Sequence, residues 1–73
     1  MPPVTSLDDA KRLVESFPGR PEDFVLALSD ELLDPFGMNM AIIMDRVLAR
    51  GWAPNGFEQQ QGFREYRYKM LKE

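Results

Sequence analysis

The spacing of apolar positions along this chain predicts helices up to residue 50 and a strand after residue 62. Met40, Ile43, Met44, Val47 and Leu48 fall on one stripe of a helix that stops at Gly51. From Phe63 to Met70 the pattern alternates, with Tyr66, Tyr68 and Met70 on one face and Glu65, Arg67 and Lys69 on the other. A change of period from 3.6 to 2 marks a helix giving way to a strand.

Three helices are predicted before that change. The first starts at Thr5 or Ser6, where a hydroxyl caps the first turn and Asp8 and Asp9 meet the positive end of the dipole. Leu7, Ala10, Val14 and Phe17 form its stripe, with Leu13 beside it, and Pro18 with Gly19 ends it. The second is predicted over residues 21–34. Pro21 takes its first position, Glu22 and Asp23 its first turn, and Phe24, Leu28 and Leu32 recur every fourth residue. It stops before Pro35, which keeps Asp34 out of helical dihedrals. The third is capped by Asn39, with Met38 and Ile43 placed as a hydrophobic staple and Trp52 placed to fold back on Val47 past Gly51.

Beyond it, Pro54, Asn55 and Gly56 read as a turn, residues 57–60 as a short strand, and Gln61 with Gly62 as part of a hairpin loop. A two-residue loop opposes Glu58 to Glu65; a three-residue loop opposes Glu58 to Arg64 and is favoured on charge. The tyrosine face of the second strand is expected to pack on the helices. The predicted fold class is therefore α+β: three short helices followed by a C-terminal β-hairpin, in a single domain over 1–73 whose residues 1–5 form a disordered arm.

At 73 residues the chain has room for one domain, and one that buries only about 60% of its unfolded surface. It contains neither cysteine nor histidine, so disulfides and the usual zinc sites are excluded. A compact core, for which the 44% apolar content suffices, or self-association must then supply stability. Lack of cysteine suits a reducing cytoplasm. The longest apolar runs are five residues, 24–28 and 40–44, against about 20 for a membrane span. No signal-like segment opens the chain, so a cytoplasmic location is expected.

Nucleophilic chemistry of the Ser-His-Asp or Cys-His kind is thereby excluded. The five glycines are singletons near predicted boundaries, which fits turn and cap duty rather than a phosphate loop. No metal, cofactor or catalytic residue is expected. Carboxylates are the remaining acid–base and hard-cation candidates, chiefly Asp30, Glu31 and Asp34, though a solvated acidic edge is the plainer reading. These three stand at the C-terminal end of the predicted second helix, against the dipole. That placement points to an edge that contacts a basic partner surface. Methionines 38, 40 and 44 suit plain core better than an adaptable groove, and Trp52 suits a lid on the core better than an exposed anchor.

Charge is uneven: residues 1–44 carry eight acidic and three basic groups, residues 45–73 four acidic and six basic. The acidic front disfavours generic nucleic-acid binding. Arg64, Arg67, Lys69 and Lys72 with Tyr66 and Tyr68 resemble the basic-aromatic mixture that single strands use, but an amphipathic strand accounts for them more simply. Three helices followed by a hairpin is similar to the element order of a winged-helix domain, whose third helix enters the major groove. That likeness implies Arg46, Arg50, Arg64, Arg67 and Lys69 as nucleic-acid contacts. The apolar circumference of the third helix suits burial better than a groove. The expected function is a small non-enzymatic protein-interaction module, binding another protein or itself; the alternative is a winged-helix-like nucleic-acid-binding domain.

Overall fold

The computed structural model describes residues 2–33 and 37–71. It is an α+β structure of two helices, α1 (Leu7–Ser16) and α2 (Met38–Ala49), and three strands, β1 (Val25–Ser29), β2 (Trp52–Gln59) and β3 (Phe63–Met70). Two short 3-10 turns, Pro21–Asp23 and Asp30–Leu32, flank β1. The strands form one antiparallel sheet in the order β1-β3-β2.

Helix α1 follows its sequence signals. Ser6 is the cap, its hydroxyl accepting the Asp9 N–H at 3.1 Å, and Ala10 and Val14 are buried. The arm before it is anchored at Val4. Its N–H donates to the Ala27 carbonyl and its carbonyl accepts from Ser29, both at 2.8 Å. The free side of β1 is thus covered for part of its length.

The helix predicted over 21–34 is not formed in its described part, residues 21–33; this is the main correction to the expected fold. Pro21, Glu22 and Asp23 make one 3-10 turn, and residues 25–29 then pair with β3 from Val25↔Arg67 to Ser29↔Phe63. Residues 24–28 are all apolar, so neither period shows in them, and such a run fits a buried strand as well as a helix. Strand β3 decides between the two. Its backbone groups on the side away from β2 need partners, and β1 supplies them. Leu26 and Leu28 turn into the core, while Val25 on the other face stays exposed.

The hairpin also differs from expectation. Pro54, Asn55 and Gly56 lie within β2 rather than in a turn before it. Three steps along β2, from Pro54 to Phe57, oppose two steps along β3, from Tyr68 to Tyr66. That is a bulge of one residue, with Gly56 at a φ of 86°. Proline is tolerated there because β2 is an edge strand. The loop has two residues, so Glu58 opposes Glu65, not Arg64. The register matches Phe57 with Tyr66, whose ring centroids are 5.4 Å apart, and the turn is tied to β1 by the Asp30 N–H on the Gly62 carbonyl at 3.0 Å. Gln60 relieves the acid pair: its amide nitrogen lies 2.9 Å from a Glu65 oxygen and 3.4 Å from a Glu58 oxygen.

Helix α2 is capped by Gly37, at a φ of 71°, and starts before Asn39. The Asn39 amide instead donates to the Leu32 carbonyl at 3.0 Å, tying the second 3-10 turn to the helix. With the cap at Gly37, Met38 is the first residue of the helix rather than the residue before its cap, and it is 64% exposed while Ile43 is buried. Gly51, at a φ of 77°, ends the helix as predicted. Both helices pack on one face of the sheet, where Val14, Leu26, Leu28, Ile43, Val47, Trp52 and Tyr68 form the core. An aromatic row of Phe17, Phe24, Trp52 and Tyr68, with neighbouring centroids 4.9 to 6.3 Å apart, closes it.

Candidate functional site

The surface that sets this domain apart is the outward side of α2. Ile43 and Val47 anchor the helix on the core, and Met40 and Met44 pack at its flank. The opposite side presents Ala41, Ile42, Asp45, Leu48 and Ala49, all exposed. Ile42 and Leu48 are 36% and 47% accessible. At 100° per residue they lie on either side of Asp45. An amphipathic surface helix places polar residues on this side. Here the single charge is Asp45, and among the described residues its carboxylate makes no ion pair and no hydrogen bond. Sequence alone does not single out an apolar helix face with a lone acid at its centre. The signal was present, since α2 is apolar around most of its circumference, but that composition pointed to burial.

The expected acidic edge takes a different form. Asp30 and Glu31 are exposed, in the first turn of a 3-10 segment capped by the Ser29 hydroxyl, which accepts the Glu31 N–H at 3.3 Å. Acids at such an N-terminus agree with the local dipole, so the conflict that made them conspicuous disappears. Asp30 also accepts from the Gln59 amide at 3.3 Å. Asp34 lies outside the described residues.

The five basic candidates do not converge. Arg46 and Arg50 point from α2 toward the end of α1. Arg50 donates to the Val14 carbonyl at 2.7 Å and stacks its guanidinium over Trp52, 4.4 Å from the ring centroid. Helix α1 has no basic residue in its own last turn, and Arg50 serves its free carbonyls from another element. The Arg46 Nε is buried without a hydrogen-bond partner and lies 3.9 Å from Glu15. Arg64 belongs to a cluster on the helix side of the sheet. Its Nε donates to Gln59 at 2.9 Å, another nitrogen to the Tyr66 hydroxyl at 3.0 Å, and its plane lies 4.6 Å from the Phe57 ring centre. Arg67 and Lys69 are exposed on the opposite face of β3.

Tyrosine is the remaining titrating group of note. Burial, and secondarily the nearby Tyr66, holds the Tyr68 phenol well above its usual range, so it stays neutral and acts as core. A cavity of about 400 Å³ lies between the arm, α1 and β1, lined mainly by apolar residues including Val4, Leu13 and Phe24, with Asp23 and Glu65. Its lining has no side-chain hydrogen-bond donor, so it lacks the converging polar groups that orient a ligand. Among the described residues no group of three His, Cys, Asp or Glu side chains is placed to hold a metal ion, and no helix is long and apolar enough to cross a membrane.

No protein-family model, no curated protein and no solved structure matches this chain.

Proposed function

We propose that this domain is a non-enzymatic protein-interaction module that offers the outward face of α2 to a partner. The observation that carries this reading is the exposure of Ile42 and Leu48 on the side of a helix where polar residues normally stand. The sheet edges support it by being poor sites for a partner. Val4 covers part of β1, and β2 carries Pro54 and a bulge, two devices that discourage strand addition. The lack of histidine and cysteine, and the dispersal of the acids over separate elements, favour binding over catalysis. A reducing compartment suits a cysteine-free chain.

The nucleic-acid alternative draws less support, because the groups that must meet phosphate are split between the α1–α2 contact, the helix side of the sheet and its opposite face. The test is a selection of displayed helical peptides on the immobilised domain. Enriched peptides that lose binding to the Leu48→Glu variant are expected. A selection that enriches nothing, or peptides indifferent to that change, would refute the module. In parallel, a mobility-shift titration is expected to show no shift at low salt. Micromolar binding with steep salt dependence would favour nucleic acid instead.

A further inference from the structure

We infer that the occupant of the α2 face is an amphipathic helix of another protein that sets a lysine or arginine against Asp45. This rests on the module reading and names its partner by chemistry. Asp45 stands at the middle of the face, flanked by Ile42 and Leu48, with Ala41 and Ala49 beside it. Small residues let a second helix approach closely, and a single polar group inside an apolar seam sets partner and register. An approaching helix desolvates that carboxylate. The charge is then tolerated only if the partner supplies a cation. Arg46 cannot supply it from within, since it leans toward Glu15, and Arg50 is committed to α1 and Trp52.

The same geometry argues against a second copy of this chain. In an antiparallel two-fold pair, any arrangement that sets Leu48 against the copy's Ile42 also sets Asp45 against Asp45. A parallel pair opposes the same two carboxylates. Like charges in a desolvated seam work against association, and each chain already carries a net charge of −3. A lipid surface fits no better, because interfacial helices flank their apolar face with free lysine and arginine. Here the charge in the face is acidic.

The experiment uses a library of fourteen-residue helices randomised on one face, selected in parallel on the parent domain and on its Asp45→Lys variant. Peptides from the parent selection are expected to carry lysine or arginine at one fixed central position. Those from the variant are expected to carry aspartate or glutamate there. For one selected peptide, exchanging its central lysine for glutamate should weaken binding to the parent at least tenfold and restore it on the variant. Peptides that need Leu48 but show no charge preference at any position would overturn this inference and leave the module standing. A selection empty on both baits would remove both. Sedimentation of the free domain is expected to show a monomer. A dimer abolished by Leu48→Glu would assign the face to a second copy and overturn the inference, as would peptide-independent binding to anionic vesicles that the same change removes.

Discussion

Arg50 shows how much of this small domain depends on single side chains that reach between elements. It ties α2 to the α1 terminus through one short hydrogen bond and covers Trp52. A charged hydrogen bond of this kind contributes about 1.5–3 kcal/mol, so Arg50→Ala should lower unfolding stability by about 2 kcal/mol in a denaturant titration, with an unchanged fold by circular dichroism. Gly51 does its work through the backbone. Beyond its chain neighbours nothing lies within 4 Å of a Cβ placed there, but φ is +77°, so Gly51→Ala should cost about 1 kcal/mol through conformation alone. Tyr68 makes stability depend on alkaline pH. Its folded pKa lies above the unfolded value of about 10. The folded state therefore holds the proton longer, and the stability this confers is complete below pH 10 and lost as pH rises beyond it. Melts between pH 8 and 11.5 should show a decline that is shallower in Tyr68→Phe.

At the level of elements, α1, the end of α2 and β3 are legible from periodicity and capping, while β1 is not. Residues 24–28 have no polar member to reveal a period, and Pro21 with its two acids starts a 3-10 turn as readily as an α-helix. What favours the strand is the open side of β3, distant in sequence. Hydrogen exchange should accordingly protect amides of residues 26 and 28, which face the β1–β3 pairing, in step with those of β3. The hairpin register is hidden from local signals for a related reason. A cross-strand acid pair costs only a few tenths of a kcal/mol. Matching Phe57 to Tyr66 and joining the turn to β1 offset that cost, and Gln60 bridges both acids. Replacing one acid should still be favourable: Glu58→Lys is expected to raise stability by about 0.5 kcal/mol, read as a higher midpoint in urea. The candidate site was partly hidden by the same blindness to neighbours. The apolar residues of α2 are plain in the sequence, but which side the rest of the fold covers is not.

For the molecule as a whole, stability and the proposed binding are expected to separate, since the core lies on one side of α2 and the proposed contact on the other. Ile42→Glu and Leu48→Glu should therefore melt within about 0.5 kcal/mol of the parent while losing selected partners. A large loss of stability from either change would show that the face is structural instead. The amino-acid sequence by itself determined the features that rest on near neighbours: a hydroxyl cap at Thr5 or Ser6, the left-handed stop at Gly51, the alternation of β3, and the exclusion of thiol and imidazole chemistry by composition. Tertiary structure decided what depends on distant partners: that residues 25–29 are a strand, that the hairpin takes the shorter loop, that Arg50 is committed to α1 and Arg64 to Phe57, and that one side of α2 is left open. Local signals act over a turn or two of chain. Pairing and coverage are settled by groups tens of residues away, whose hydrogen bonds and apolar area outweigh propensities of a few tenths of a kcal/mol per residue.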